Sequence, residues 1–367
     1  MEQQKEHSGC VEGLTVDLCQ LREGFTTGAC AAAAAKASIL ALLDPSVSPS
    51  CVDIPFPCGE RFSFSVERIK RHEGYAEAAV RKDAGDDPDI TQGVLVVARV
   101  AWCVGQDIVF ESGEGVGRVT KPGLSIPPGE PAINPGPRNM IRAGIRELTG
   151  RGVSVTVSIP GGEELAKKTF NPRLGIVGGL SVLGTTGRVR PFSCQAIRCS
   201  VACELDVAKA AGVKHPVLVP GHIGERSARR HLKLRDDQLI EVGNEWGFVL
   251  EGLSKYHFEH VLLWGHPGKL AKLAAEEWDT HSSRSASAVE IVKRLGLMPN
   301  LESEPVTMEG LFEMLKPAEQ QKLAAELGEA ISNAASQKCG QCCRISVGLV
   351  NMAGELLGSY KSLKDFQ

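Results

Sequence analysis

Short bursts of glycine repeatedly close an apolar, β-like run and open a helix-like one, and this punctuation decides which architectures are open to the chain. From Arg173 the rhythm is strand, glycine loop, helix. Residues 174–183 are apolar and β-like, Gly184-Thr185-Thr186-Gly187 follows, and Pro191 opens a helix through 193–211. Residues 216–220 feed Gly221-His222-Ile223-Gly224 and a charged helix at 225–233. Residues 238–242 feed Gly243-Asn244-Glu245-Trp246-Gly247 and a helix at 248–257. Residues 260–264 feed Gly265-His266-Pro267-Gly268-Lys269 and a helix at 270–277. Four successive units of this kind predict a Rossmann-like, largely parallel α/β domain over 173–298. Its loops would gather at the carboxyl ends of the strands, where such sheets bind ligands.

The first half reads differently. A Gly-Thr turn and an alanine-rich helix at 25–43 precede alternating strands at 61–69, 76–82, 93–103 and 152–160, with a helix at 137–149. Strands in runs with few helices predict an N-terminal α+β domain over 21–172, preceded by a flexible segment at 1–20 that is Gln/Glu/Lys-rich over 1–7. After a connector bearing Pro299 and Pro305, amphipathic helices and a hairpin of 344–350 with 356–361 would complete the second domain over 299–367.

Length supports two domains, since 367 residues exceed one ordinary core. Lys plus Arg number 41 against 44 Asp plus Glu, a net charge of −3, so no global field is available to hold a nucleic acid. No run of about 18 apolar residues is present, which argues against a membrane span. The N-terminus carries neither a secretory nor a transit pattern, so the expected location is cytoplasmic. Twelve cysteines, most of them single in apolar settings, read as small reduced hydrophobes and not as a disulfide framework. The oligomeric state is open, a homo-oligomer included.

Several motifs carry possible chemistry. Thr26, Thr27 and Gly28 open the alanine helix with backbone N–H groups flanked by hydroxyls, which suits either an anion cradle or an ordinary capped helix. Lys82 is followed by four carboxylates, Asp83, Asp86, Asp87 and Asp89, which suit a hard cation or a solvated acidic turn. The glycine loop at 113–123 carries Arg118 and Lys121. Pro122, Pro127 and Pro128 forbid the helix a dinucleotide fingerprint needs, so the loop reads as one offering cations to an acidic ligand, with Asn134 and Arg138 nearby. Gly184-Thr185-Thr186-Gly187 lacks both the dinucleotide spacing and the lysine of a phosphate loop. His266 and Lys269, with Lys272 and His281, gather at one edge, but a zinc reading of the two histidines lacks a third spaced ligand. Cys339-x-x-Cys342-Cys343 is a half-site without a fourth ligand, and no metal site is assigned.

Together these motifs resemble the CbiD-type cobalt-precorrin-5B (C1)-methyltransferases of anaerobic cobalamin biosynthesis. The residues that carry the resemblance are Leu21-Arg22-Glu23-Gly24-Phe25-Thr26-Thr27-Gly28-Ala29-Cys30-Ala31, Val80-Arg81-Lys82-Asp83-Ala84-Gly85-Asp86-Asp87-Pro88-Asp89 and Gly115-Val116-Gly117-Arg118-Val119-Thr120-Lys121-Pro122-Gly123-Leu124. Ala132-Ile133-Asn134-Pro135, Ile159-Pro160-Gly161-Gly162-Glu163-Glu164-Leu165-Ala166, the run 174–187, and Gly268-Lys269-Leu270 extend it in order to about His281. The resemblance implies methyl transfer from S-adenosylmethionine to C1 of cobalt-precorrin-5B, giving cobalt-precorrin-6A. On that reading Lys82, Arg118, Lys121 and Arg138, with Thr26, Thr27, Gly28 and Asn134, would meet the carboxylate arms of the cobalt-corrinoid substrate. Gly184, Thr185, Thr186, Gly187, Gly221, Asn244, Gly265, His266 and Lys269 would hold S-adenosylmethionine. Asp83, Asp86 and His281 are the catalytic candidates, in a cleft expected between the domains. Ser285-Ala286-Ser287-Ala288 stand where the family commonly continues with Asp and Arg. Two other readings are a nucleotide-using enzyme of another reaction class and a non-catalytic corrinoid or metal carrier.

Overall fold

The computed structural model describes residues 8–11, 14–17, 21–191, 194–282, 284–301 and 303–366. The chain divides into two compact units, Met1–Ser193 and Cys194–Gln367. The division falls about twenty residues beyond the change of rhythm in the sequence.

In the first unit, Ser8–Val11 (β1) and Leu14–Asp17 (β2) pair antiparallel, and the rest of the segment expected to be flexible lies outside the described residues. Gly24–Phe25 (β3) leads into Thr27–Leu43 (α1). Cys51–Pro55 (β4), Arg61–Ser65 (β5), Arg68–His72 (β6), Tyr75–Arg81 (β7), Leu95–Trp102 (β8), Ile108–Ser112 (β9) and Arg118–Val119 (β10) follow. Pro135–Arg146 (α2), Val153–Ser158 (β11), Gly162–Ala166 (α3), Ile176–Val177 (β12) and Arg188–Val189 (β13) complete the unit. The sequence suggested one strand over 61–69. The chain instead forms β5, which pairs with β4, and β6, which pairs with β7.

The five-stranded sheet runs β6-β7-β8-β11-β9, antiparallel except where β11 lies parallel to β9. Helix α1 is apolar almost all round and buried almost all round, as such a helix must be. Its alanines leave no side chain to hold the helix away from the sheet, and Ser38 Oγ donates to Ala98 O at 2.8 Å. Val153, Val155 and Val157 alternate into the same core as Met140, Ile141 and Ile145 of α2.

Lys36 is buried on α1, with its ammonium on Asp53 O (2.9 Å) and on the Glu147 carboxylate at the end of α2. Arg61 closes on the same carboxylate in a fork, at 2.6 and 3.0 Å. The Arg61 hydrogen bonds, then that of Lys36, overcome desolvation and push Glu147 down to about 2 from its ordinary 4.5. A depressed carboxylate stabilises the fold above its unfolded value and loses that contribution as pH falls through the folded one. Stability is therefore expected to fall between pH 4.5 and about 2 partly through this group. In Glu147→Gln, denaturant titrations across that range should lose this component; an unchanged profile would show that Glu147 is not its source.

The second unit contains Cys194–Ala210 (α4), Val217–Val219 (β14), His222–His231 (α5), Leu239–Glu241 (β15), Trp246–Gly252 (α6), His260–Gly265 (β16) and Pro267–Leu270 (α7). Ala288–Arg294 (α8), Met308–Glu313 (α9), Pro317–Lys338 (α10), Arg344–Val350 (β17) and Leu356–Tyr360 (β18) follow. Its sheet runs β15-β14-β16-β17-β18, parallel through β17, with β18 antiparallel at the edge. All six residues of β16 are buried, the continuous apolar signature of a strand covered on both faces. Val261, Leu263, Ile345 and Val347 face one core; Leu262, Trp264 and Val350 face the other.

Both sheets mix parallel and antiparallel pairs, so the fold is mixed α/β. The run 174–183 does not open the second sheet, contrary to the sequence reading. It contributes β12, which pairs with β10, and isolated bridges from Leu180 to Val116 and from Val182 to Ile133, while β13 beyond it pairs with β3, all within the first unit. No described helix is long and apolar enough to cross a membrane.

Candidate functional site

In the first unit the start of α1 meets the loop after β12. Thr26 caps the helix, its Oγ1 accepting from Ala29 N–H at 3.2 Å. Gly28 N–H donates to Leu183 O (2.8 Å), and Leu183 N–H donates to Thr27 Oγ1 (2.9 Å). Gly28 N–H and Ala29 N–H, two of the donors that the sequence offered to an anion, are thus engaged by the chain itself. Gly184, Thr185, Thr186 and Gly187 belong to this arrangement and not to the parallel sheet. Thr26 N–H donates to Gly187 O at 2.9 Å, and the Glu23 carboxylate binds Arg188 and, at 3.1 Å, Arg190. The start of α2 packs against the same loop, with Gly184 O 2.8 Å from where a Cβ on Gly136 would stand. Asn134 is its N-cap and makes no side-chain cap bond.

Gly184 has φ +124°, and a Cβ there would lie 2.3 Å from Thr26 Oγ1. Gly184→Ala therefore combines backbone strain with a collision at the α1 cap, a loss of about 2–4 kcal/mol. Gly74→Ala, at φ +84° in open space, should show the strain alone. Equal losses in denaturant titrations would remove the collision.

The acidic segment forms a clip. Arg22 donates to both oxygens of Asp83, Nη2 to Oδ1 at 3.0 Å, while Arg22 N–H donates to Asp86 Oδ2 at 2.6 Å. Phe25 N–H on Asp83 O (2.7 Å) continues the grip on the strand before α1. The Arg22 guanidinium holds the Asp83 carboxyl well below the usual range. Arg22 was not singled out from the sequence as a site residue; its place in the quoted opening motif was the available signal.

The proposed substrate-facing cations separate by environment. Lys82 is 2% exposed, and its ammonium lies on Asp89 Oδ2 at 2.7 Å. Arg138 is largely committed to Ile133 O (2.8 Å), Pro131 O (3.2 Å) and Glu130 (3.2 Å). Arg118 is exposed with one donation to Gly129 O at 3.0 Å, and Lys121 is half-buried beside Arg173 O at 3.4 Å.

In the second unit the loops after β14, β15 and β16 meet, as neighbouring parallel strands require. Lys269 Nζ donates to Asn244 Oδ1 (3.1 Å) and Pro220 O (3.4 Å), and Thr280 Oγ1 donates to the same Asn244 oxygen at 3.2 Å. Glu241 Oε1 lies 3.6 Å from where a Cβ on Gly221 would stand, and Gly265 packs on Pro220. Burial pushes Lys269 below its ordinary value, partly offset by Glu241. Lys272 is 5% exposed, bound to Thr280 O (3.1 Å) and Ser285 Oγ (2.7 Å), and burial lowers it as well.

His266 accepts from Gly268 N–H at Nδ1 (3.0 Å), which leaves Nε2 to donate to Glu309 at 3.0 Å. Glu309 also accepts from Met352 N–H, so His266 ties the loop to α9 and the β17–β18 turn. His281 follows Thr280; its N–H donates to Asp279 (3.0 Å) and its C=O accepts from Ser285 (2.7 Å). Thus Gly221, Asn244, Gly265, His266, Lys269 and His281 share one unit, while Gly184–Gly187 lies with Thr26–Gly28 in the other.

The CbiD family model matches residues 15–191, which is nearly the first unit. The chain is 50% identical over 349 residues to the cobalt-precorrin-5B C(1)-methyltransferase of Syntrophotalea carbinolica, covering 95% of this chain and 99% of that protein. It is 41% identical to the protein of the same name from Methanocaldococcus jannaschii, covering 92% and 96%. A crystal structure of cobalamin biosynthesis protein (cbiD) from Archaeoglobus fulgidus is 27% identical, covering 79% of this chain and 88% of that one, with a TM-score of 0.38. Identity of one residue in two along almost the whole of both chains establishes that this protein belongs to the CbiD family.

Proposed function

We propose that the chain methylates C1 of cobalt-precorrin-5B with S-adenosylmethionine as donor, giving cobalt-precorrin-6A. The observation that carries this reading is the 50% identity across 99% of a relative named for that reaction. The donor supplies a methyl group on sulfonium, already activated toward a carbon nucleophile. What the protein adds is alignment of the reacting atoms and exclusion of water.

We read the parallel order β15-β14-β16-β17 as Rossmann-like and assign the donor to its carboxyl edge. The residues there suit it. The desolvated Lys269 ammonium matches a carboxylate, the Glu241 carboxylate matches ribose hydroxyls, and Asn244, held by Lys269 and Thr280, fixes the loop between them. Gly221, Gly265 and His266 shape the same edge, and His281 is proposed to act near the reacting end. Arg118 and Lys121 are assigned to the carboxylate arms of the ring, with Arg138, Asn134 and Gly184–Gly187 positioning that surface. Asp83 and Asp86 position the α1 entry through Arg22.

Incubation with cobalt-precorrin-5B and methyl-labelled S-adenosylmethionine tests the reading. Label should appear at C1 with one S-adenosylhomocysteine released per methyl transferred. Binding of the ring without transfer would favour a carrier, and preference for NAD(P) or ATP over the sulfonium donor would favour another reaction class.

A further inference from the structure

Cys339, Cys342 and Cys343 lie in the second unit, none of them is among the residues assigned above, and their placement depends on an unusual turn. Helix α10 ends at Lys338, Cys339 is its C-cap, and Gly340 (φ +65°) and Gln341 (φ +56°) both take the left-handed conformation. Gly340 N–H donates to Gln337 O (3.0 Å) and Gln341 N–H to Ser336 O (2.8 Å), which reverses the chain within two residues. Gln341 pays a conformational cost that glycine would not. The reversal returns Cys342 and Cys343 to the side of Cys339 before β17 begins.

The three Sγ atoms lie within 4.8 Å of one another, and those of Cys342 and Cys343 are 4.0 Å apart. Sulfurs bound at about 2.3 Å to a common ion stand about 3.8–4.0 Å from each other, so small side-chain movements suffice to close on one. Both flanks are anchored: Ile331 and Ala335 of α10 and Ile345 and Val347 of β17 are fully buried, which keeps the turn in place without a ligand. Cys339 is buried, Cys343 half-buried and Cys342 exposed, so an ion would sit at the surface with a fourth position open to solvent.

We propose that Cys339, Cys342 and Cys343 form a tris-thiolate site for one thiophilic closed-shell cation of the Zn2+ or Cu+ class. Soft sulfur ligands select such ions over Mg2+ or Ca2+. Each metal–sulfur bond forms on a thiolate, so every cysteine of the three that still carries its S–H proton gives it up to solvent as the ion is taken up. With the flanking core already formed, the ion adds a site to the fold and does not create the fold, unlike a four-ligand structural zinc.

The test uses the full chain, reduced and stripped with a chelator. Titration with Cd2+ as probe should produce ultraviolet thiolate-to-metal absorption that saturates at one ion per chain, and Cd2+ should displace Zn2+ bound beforehand. Cys342→Ser, at an exposed position, should weaken Cd2+ binding at least tenfold while the far-ultraviolet circular dichroism is unchanged. The triple serine variant should abolish the absorption. The proposal is overturned if reduced wild type shows no saturable absorption although its thiols react with a thiol reagent. It is also overturned if the triple variant binds as tightly, which would move the ion to His222, Glu225 and Glu241 or to other cysteines. Formation of a Cys339–Cys342 disulfide by oxidant in a chain that binds no metal when reduced would overturn it in favour of a redox pair.

Discussion

Asp89→Ala is expected to destabilise the first unit by about 2–4 kcal/mol, somewhat less than the loss of a partner from a fully buried ion pair, because Lys82 is buried while the Asp89 side chain is 24% exposed. The Lys82 side chain is 1% exposed, and its ammonium lies 2.7 Å from Asp89 Oδ2. Asp89 Oδ1 is occupied by Thr91 N–H (2.7 Å) and Thr91 Oγ1 (2.6 Å), so the carboxylate is satisfied at both ends. Desolvation would raise this carboxyl, yet the hydrogen bonds from Lys82 and Thr91 hold it below its ordinary value. Without Asp89 the ammonium remains enclosed near Cys30, whose own thiol burial pushes up to about 12 and which therefore cannot serve as a counter-anion. Lys82→Met combined with Asp89→Ala should recover most of the loss, because it removes both charges and keeps the apolar stem. Denaturant titration and hydrogen exchange in β7 and β8 would measure both. A single variant within about 1 kcal/mol of wild type would mean that water or another group satisfies Lys82, contrary to the pair described here.

Lys269→Met should weaken binding of S-adenosylmethionine about 10–100-fold, the range of a charge-assisted hydrogen bond lost in a desolvated site. Its effect on stability should be neutral or favourable. Burial has already pushed Lys269 down from its ordinary value, so the folded chain bears a cost for keeping this cation charged. A desolvated cation of this kind lowers stability, a cost that binding sites commonly carry. Lys121→Ala should act oppositely on the two ligands, raising the KM for the ring with little change for the donor. Isothermal titration with S-adenosylhomocysteine, alongside steady-state kinetics, separates these cases. If Lys269→Met raises both KM values equally, the assignment of the donor to the β14–β16 edge fails.

Much of the second unit was legible because parallel strands covered on both faces are written as apolar runs between glycine and proline. Residues 217–219, 239–241 and 260–265 appear in the structure where that pattern placed them. The adjacent run 174–183 carries the same apolar signal and misled. Gly175, Gly178 and Gly179 let its backbone lie against 115–120, where Gly117 N–H donates to Leu180 O and Leu180 N–H to Gly115 O, so most of it became a close-packed loop of the first unit. Composition registers that a segment is buried, not against what.

The same limit governed the site. The presence of Lys82, the acidic run, the Gly184 loop and the cysteine cluster was written in the chain, as was the family resemblance that the relatives support. That Lys82 turns inward to Asp89, that Leu183 caps a helix 156 residues earlier, and that a left-handed Gly340-Gln341 turn brings three sulfurs together were decided by tertiary contacts. Local pattern follows from hydrophobic periodicity and turn chemistry within a few residues. The partner of a buried charge or an unsatisfied N–H depends on which distant segment the folded core brings within hydrogen-bond reach.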